Sequence, residues 1–212
     1  NIVYLPWAPA TVGTFPIIEN VESLIDKMSL EEKVGQLIIT GIEGPGIDNE
    51  IQNFIQEKHV GAVILLGRNI QNAKQMENLV KNIKNLNRSH IPLFIGVDEE
   101  GGRITRFPKE IIPTPTKREI GGTNNSNIAF KLGKLIGEKT SSFGINMNFS
   151  PVLDIDSNPN NPVIGDRSYG STPEIVKEYG TNEMLGLAET GVIPVIKHFP
   201  GHGDTELDSH ID

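Results

Sequence analysis

The sequence has 212 residues, of which 37% are hydrophobic, and its 27 acidic residues outnumber 19 Lys and Arg residues, for a net charge of −8. A chain of this length predicts one large or two small globular domains, at roughly 100–200 residues per domain. The absence of cysteine excludes disulfide scaffolds, Cys-ligated zinc and thiol nucleophiles, the acidic balance argues against nucleic-acid binding, and no apolar run approaches the ~20 residues of a membrane span.

The first predicted segment is an extended arm over residues 1–19. It contains Pro6, Pro9 and Pro16 and has no regular apolar spacing, so we expect it to lie on the surface. The chain does not begin with Met, which slightly favours an exported protein over a cytoplasmic one, although an arbitrary boundary of the chain would look the same.

Two helices are predicted next, the first over residues 21–28 and the second from Ser29 to about Gly35. Ser29 and Glu32 have the spacing of a capping box, in which each side chain accepts the backbone N–H of the other residue. Beyond them, short apolar strands alternate with amphipathic helices. The predicted strands are 37–42, 62–66, 93–97, 145–149 and 192–196, and the predicted helices are 48–58, 73–87, 126–142 and 174–189.

This alternation predicts right-handed βαβ units and a parallel sheet. Two architectures fit, a doubly wound five-stranded sheet and a (β/α)₈ barrel, which usually needs ~250 residues. Charged residues follow several different strands, including Asp98, Asp154 and Lys197. Because barrel sites draw on many strands, we predict an α/β fold of the (β/α)₈ TIM-barrel type, with about five of its eight βα units in this chain.

Three of the five histidines, His198, His202 and His210, fall within a Gly- and Pro-rich loop after the last strand. This loop could be a metal site, a solvated polar loop, or an acid–base site in which Asp208 accepts the ring N–H of His210. Loose spacing disfavours the metal, and we predict no metal and no other cofactor. Gly201 and Gly203 also make the loop easy to bend, so we expect His210 to move when a ligand binds.

Other strand ends carry groups suited to a polyhydroxylated substrate. Lys197 and His198 are predicted to lie on the floor of a pocket and to donate to hydroxyl groups. Asp98 to Arg103, with Arg106, and a second group around Arg167 supply further carboxylates and guanidinium groups, although the first group could equally be a salt-bridged turn. The sequence lacks the GxGxxG and P-loop patterns of nucleotide binding and the GxSxG nucleophile elbow.

Four of these segments resemble glycoside hydrolase family 3, in its β-N-acetylglucosaminidase (NagZ-type) branch. They are GVDEEGGR at 96–103 followed by Arg106, NFSPVLD at 148–154, GDRS at 165–168, and KHFPGHG at 197–203 followed by DSH at 208–210. The resemblance runs in order from about residue 21 to the C-terminus, and its last motif is highly specific.

This resemblance implies a retaining hydrolase on a (β/α)₈ barrel that removes terminal β-linked N-acetylglucosamine from peptidoglycan fragments without a metal. It implies that His210 is the general acid/base, on a mobile loop, and that Asp208 is its partner. It also implies that the sugar is bound by five further residues. These are Asp98, Arg106, Arg167, Lys197 and His198.

One part of the family pattern is missing, because the nucleophilic aspartate of the family lies on a later strand and this chain stops at Asp212. We therefore expect residues 20–212 to be the N-terminal part of a bacterial barrel domain whose partner is the remainder of the same protein. Alone, the chain should be inactive and should expose a sheet edge. The alternatives are a phosphorylase that uses the same residues, and a catalytically silent sugar-binding module.

Overall fold

The structure is a computed structural model that describes residues 21–208. The arm predicted for residues 1–19 and the proposed acid/base His210 therefore lie outside the described residues.

The described residues form an α/β fold around a five-stranded parallel sheet. Its strands are β1 (Ile39–Thr40), β2 (Ala62–Leu65), β3 (Phe94–Val97), β4 (Met147–Asn148) and β5 (Ile193–Pro194). All neighbouring pairs are parallel, and the order across the sheet is the order along the chain. This order is that of consecutive βα units in a barrel, and it excludes the doubly wound alternative, in which the first strand lies within the sheet.

Seven α-helices accompany the strands within residues 21–208, and all six predicted helices are among them. The helices are α1 (Val21–Lys27), α2 (Leu30–Gln36), α3 (Asn49–Gln56), α4 (Ala73–Leu86), α5 (Lys117–Gly121), α6 (Asn127–Ser142) and α7 (Pro173–Glu189). The predicted capping box of α2 is confirmed, with Glu32 N–H 3.1 Å from Ser29 Oγ and Ser29 N–H 2.8 Å from Glu32 Oε2. None of these helices is long and apolar enough to cross a lipid bilayer.

The short helix α5 was not predicted. Five residues are too few to show the periodic apolar spacing on which the other predictions rest. The sequence does carry a local signal, because Thr116 and Glu119 form a second capping box in which Glu119 N–H lies 3.2 Å from Thr116 Oγ1 and Thr116 N–H lies 2.8 Å from Glu119 Oε2.

Several strands are shorter than predicted, for reasons visible in their backbone. Leu37 is the C-cap of α2 and has helical dihedral angles (φ −86°, ψ −3°), so the first strand cannot begin there. The β4–β5 ladder ends at the Asn148–Pro194 pair and resumes as a single bridge between Val152 and Lys197. There Leu153 N–H lies 2.7 Å from the Lys197 carbonyl oxygen and Lys197 N–H lies 3.2 Å from the Pro151 carbonyl oxygen.

Two apolar clusters hold the layers together. The larger packs β2 and β3 against α3 and α4, and its fully buried members include Val63, Leu65, Met76, Ile83 and Ile95. The smaller lies around α5, α6 and α7, and it contains Ile120, Ile136, Tyr169, Tyr179 and Leu187. Both clusters lie on the helix side of the sheet, so they fix the strands and leave the strand ends available for polar groups.

Helices α6 and α7 approach each other closely through glycines. A Cβ atom on Gly133 would lie 2.1 Å from the Glu183 carbonyl oxygen, and one on Gly186 would lie 2.1 Å from the Phe130 carbonyl oxygen. Real Cβ atoms do not come so close, so the two helix backbones are in direct contact at these positions.

Apolar side chains are exposed at both ends of the described sheet. Leu37 and Ile39 at β1 are 86% and 48% exposed, and Ile196 and Phe199 beyond β5 are 53% and 98% exposed. Strands β1 and β5 are the terminal strands of the sheet formed by residues 21–208, and these apolar side chains lie at or next to them.

We expect Gly133→Ala to destabilise the protein by roughly 1–3 kcal/mol, the usual cost of overpacking. The new methyl group would push Glu183 and its helix away, which outweighs the ~0.5–1 kcal/mol that alanine gains over glycine within a helix. Gly122→Ala is the matched control, because its Cβ would meet no heavy atom closer than 3.6 Å. Urea unfolding measures both variants, and equal midpoints for Gly133→Ala and Gly122→Ala would contradict the close-contact interpretation.

Candidate active site

Polar residues gather where β3, β4 and β5 end. Asp98, Glu99 and Glu100 follow β3, Asp154 lies beyond β4, and Lys197 with His198 lies beyond β5. The carboxyl ends of parallel strands meet at one face of a barrel, which is where barrel enzymes place their sites.

Lys197 and Glu100 form the centre of an ion-pair network. Lys197 Nζ lies 2.6 Å from Asp98 Oδ1 and 2.6 Å from Glu100 Oε1. Glu100 also receives two hydrogen bonds from Arg167, with Nε 2.9 Å from Oε2 and Nη2 2.8 Å from Oε1. Two carboxylates thus face two cations. The network brings together Asp98, Arg167 and Lys197, three of the predicted sugar-binding residues.

The Glu100 carboxyl is held in its ionised form. Burial raises its pKa, but hydrogen bonds from Arg167 and Lys197 and their charges outweigh burial, so the pKa lies below its ordinary value. The Glu100 side chain is only 1% exposed. A buried carboxylate with both oxygens bound to cations is a fixed negative charge, and it orients the Arg167 and Lys197 head groups.

His198 connects this network to Asp154. Its Nδ1 lies 2.5 Å from Asp154 Oδ2, and its Nε2 lies 3.3 Å from Arg167 Nη2. Since Arg167 can only donate, Nε2 accepts and Nδ1 carries the proton that Asp154 accepts. His198 thus lies in contact with Arg167, another of the residues predicted to bind the sugar.

The second carboxylate oxygen of Asp154 anchors the Gly- and Pro-rich loop after β5 that carries His198 and His202 (the histidine loop). Asp154 Oδ1 accepts the backbone N–H of His202 at 2.6 Å, while Asn161 Nδ2 donates to the His202 carbonyl oxygen at 2.7 Å. Burial raises the pKa of Asp154, but the His198 side chain and the His202 N–H outweigh it, so the pKa lies below its ordinary value. Asp154 was not predicted as a site residue, although its place just beyond a strand was a signal.

Gly203 has a different role from the one predicted. It is buried, and a Cβ atom there would lie 1.7 Å from the Ile155 carbonyl oxygen. This part of the histidine loop is therefore packed against the β4 loop, and glycine is required for close approach rather than for bending. Gly201 has no atom near its Cβ position and a φ of 144°, which is consistent with the predicted bend there.

Glu99 holds the backbone at Arg106. The Glu99 Oε2 atom accepts the backbone N–H of Arg106 at 2.8 Å, the Thr105 hydroxyl at 2.7 Å and the Phe107 N–H at 3.4 Å. The Arg106 Nε atom is buried and has no hydrogen-bond partner. A buried donor without an acceptor is costly, so an incoming oxygen would be favoured at this position.

The remaining predicted residues lie at the end of the described chain or beyond it. Asp208 is half-buried at that end, and His210 lies outside the described residues, so the predicted acid–base pair stays a prediction. Within residues 21–208, no group of three or more His, Asp or Glu side chains is arranged to hold a metal ion. Arg103 pairs with a residue of the second predicted group, with its Nε 2.7 Å from Asp166 Oδ1.

We expect Glu99→Gln to gain stability relative to the wild type as the pH rises. Burial raises the pKa of Glu99, and the bonds from Thr105, Arg106 and Phe107 only partly offset it. The folded state therefore binds more protons than the unfolded state, and the stabilisation present below the unfolded pKa is lost as the pH rises through the folded pKa. Glutamine keeps an oxygen for Arg106 N–H but cannot ionise.

Thermal midpoints between about pH 4 and pH 8 measure this difference. Glu110→Gln is the control, because Glu110 is exposed and the Ala73 N–H lowers its pKa, which reverses the expected trend. Parallel curves for Glu99→Gln and the wild type would contradict the argument.

The structure of residues 21–208 resembles solved structures of bacterial enzymes. Against a glycoside hydrolase family 3 β-N-acetylglucosaminidase from Paenibacillus sp. str. FPU-7, the TM-score is 0.82 at 39% identity, covering 86% of this chain and 35% of that one. Against NagZ from Neisseria gonorrhoeae in complex with N-trifluoroacetyl-D-glucosamine, the TM-score is 0.75 at 33% identity. This match covers 82% of this chain and 53% of that one.

Curated proteins give the same picture. Beta-hexosaminidase A of Pseudoalteromonas piscicida is 39% identical over 168 residues, which are 76% of this chain and 28% of that protein. Beta-hexosaminidase LpqI of Mycobacterium tuberculosis is 35% identical over 184 residues, which are 86% of this chain and 46% of that protein. The chain thus spans less than half the length of these two relatives. Residues 29–212 match the model of the glycosyl hydrolase family 3 N terminal domain. The chain belongs to glycoside hydrolase family 3.

Proposed function

We propose that this chain is the N-terminal part of a retaining β-N-acetylglucosaminidase that releases terminal β-linked N-acetylglucosamine from peptidoglycan fragments or related N-acetylglucosaminides. The observation that carries the proposal is the continuous network from Asp98 through Lys197, Glu100 and Arg167 to His198. The glucosamine derivative bound by the N. gonorrhoeae relative supports the substrate class.

The network suits a neutral, hydroxyl-rich ligand. Its two carboxylates and two cations balance, so a sugar can replace water without bringing a compensating charge. Asp98 is 20% exposed and Lys197 14% exposed, so both can reach a ligand, whereas Glu100 is buried behind them. Groups held in place before binding lose little side-chain entropy when the sugar arrives.

A nucleophile is proposed to come from a later segment of the same protein. The carboxylates at this face are all engaged within residues 21–208: Asp98 and Glu100 by Lys197, Asp154 by His198, and Glu99 by backbone N–H groups. A retaining glycosidase needs a carboxylate about 5–5.5 Å from its acid/base group. The remainder of the protein would therefore contribute an aspartate facing His210.

In this mechanism His210 protonates the glycosidic oxygen as the nucleophile attacks the anomeric carbon, and the leaving group departs with that proton. Water then donates a proton to His210 and attacks the glycosyl intermediate, which restores the nucleophile. Asp208 stabilises the imidazolium form of His210, which gives up its proton in the first step and forms again in the second. Histidine suits this cycle because its ordinary pKa of about 6.5 lets it exchange a proton near neutral pH.

The parent protein should hydrolyse para-nitrophenyl β-N-acetylglucosaminide and should leave the corresponding β-glucoside largely intact. Activity should survive EDTA, because proton transfer and the hydroxyl contacts are assigned to side chains. Product analysis with and without inorganic phosphate separates the hydrolase from a phosphorylase, which would form a glycosyl phosphate. Loss restored by zinc would instead support a metal site, and sugar binding without turnover would indicate a silent binding module.

In the parent protein, His210→Ala should slow glycosylation by substrates with poor leaving groups by roughly 10²–10⁴-fold, the usual contribution of a positioned acid. Good leaving groups such as nitrophenolate need little protonation and should be affected less. His90→Ala is the matched control, because His90 is exposed and precedes β3, at the opposite end of the strand from the site. Equal losses with both leaving-group types in pre-steady-state kinetics would show that His210 is a binding or structural residue.

A further inference from the structure

A second ion pair is buried behind the network, between the sheet and the helices. Lys117, the first residue of α5, pairs with Glu183 near the middle of α7, and their side chains are 1% and 0% exposed. Neither residue is among those assigned to sugar binding or proton transfer. Buried ion pairs are weak evidence for stability, since apolar residues of similar volume often stabilise a fold as well. The hydrogen bonds of this pair show which segments of the chain it holds in place.

The Glu183 carboxylate binds three separate segments of the chain. Its Oε1 atom accepts Lys117 Nζ and, at 2.7 Å, the Ser150 hydroxyl, while its Oε2 atom accepts the Tyr169 hydroxyl at 2.6 Å. Lys117 Nζ also lies 5.7 Å from the centroid of the Tyr169 ring. Burial raises the pKa of Tyr169 well above its ordinary value, and the negative charge of Glu183 raises it further. The Tyr169 hydroxyl therefore keeps its proton and remains a donor.

Tyr169 lies two residues beyond Arg167, and the intervening residue is fixed as well. The Ser168 hydroxyl, which has a single proton, lies 2.6 Å from the Asp154 carbonyl oxygen and 2.8 Å from the Gly170 carbonyl oxygen, and its oxygen accepts the Gly170 N–H at 3.2 Å. Each of the three consecutive residues 167–169 is thus bonded to a different segment, and Tyr169 provides the only one of these bonds that reaches α7. The Tyr169 hydroxyl therefore joins the segment that carries Arg167 to helix α7.

The two helices that carry this ion pair are themselves placed by close backbone contacts. A Cβ atom on Gly121, at the end of α5, would lie 1.9 Å from the Tyr169 carbonyl oxygen. The Glu183 carbonyl oxygen is the atom that approaches Gly133 of α6. Glu183 therefore sits on a rigid frame, and a hydrogen bond from that frame restricts where Tyr169 and its neighbours can move.

We propose that Glu183, together with Lys117 and Tyr169, is a positioning element that holds Arg167 in the orientation required for sugar binding. The inference rests on the proposed sugar-binding function of the Arg167 network. Arg167 must meet Glu100 and His198 at the same time, so a small shift of residues 167–169 would break one of those contacts. The Tyr169–Glu183 hydrogen bond prevents that shift.

The test uses Tyr169→Phe in the parent protein, since a change at Glu183 would leave Lys117 buried without its counterion. Loss of an interaction that positions a binding group should raise KM about 3- to 10-fold while kcat changes less than about 2-fold. Tyr179→Phe is the matched control. It removes a hydroxyl from a buried ring 5.5 Å away, but it leaves all three side-chain contacts of Glu183 intact.

A double-mutant cycle then separates positioning from general destabilisation. If Tyr169 acts through Arg167, adding Tyr169→Phe to Arg167→Ala should change KM less than about 1.5-fold further, because coupled residues are not additive. Where turnover is too slow, the dissociation constant of N-acetylglucosamine replaces KM. The proposal would be overturned if the KM increase in the double variant equalled the product of the increases in the two single variants. Equal KM values for Tyr169→Phe and Tyr179→Phe would also overturn it.

Crystal structures of both variants distinguish failure of this inference from failure of the proposed function. We expect the bidentate Arg167–Glu100 contact to be lost or displaced in Tyr169→Phe and retained in Tyr179→Phe. If the wild-type protein neither binds nor hydrolyses N-acetylglucosaminides but Arg167 moves in Tyr169→Phe, the proposed function is wrong and the positioning role stands. If Arg167 keeps its place in Tyr169→Phe, the positioning role is wrong whatever the activity.

Discussion

The Asp154 carboxylate joins the chain segments on which the site depends. It is fully buried, and it receives the ring and backbone N–H groups of His198 on one oxygen and the backbone N–H of His202 on the other. A buried carboxylate must be satisfied by donors, so these contacts are obligatory rather than incidental. The ring orientation of His198 and the path of the histidine loop are consequences of this one requirement.

Charge is arranged in two layers. The outer layer, Asp98 with Lys197 and Arg167 with Glu100, faces the end of the barrel, and the inner layer, Lys117 with Glu183, lies behind the strands. Each layer is neutral by itself, which limits the cost of burying charge in a medium of low dielectric constant.

Sequence reasoning identified the strands and their order, because short apolar runs alternating with amphipathic helices follow directly from the barrel architecture. Strand-end charges pointed to the face where Asp98, Lys197 and His198 meet, while their sugar-binding roles come from the family resemblance and stay predictions. It missed Glu183, which occupies a buried position of α7 between Tyr179 and Leu187. The helical spacing predicts an apolar residue at that position. A charged residue there is therefore read from the sequence as exposed, although it is buried. Its partner Lys117 is distant in sequence, and only the folded chain brings the two together.

Lys197 illustrates how the backbone and the side chain of one residue can be specified separately. Its N–H and carbonyl oxygen are both bonded to the β4 segment, at Pro151 and Leu153, while its ammonium group extends to the Asp98 and Glu100 carboxylates. The main chain is held without help from the side chain. A substitution of Lys197 would consequently change the charge opposite Asp98 and Glu100 while the backbone contacts to β4 remain, so separate atoms of this one residue specify the charge of the site and the path of the chain.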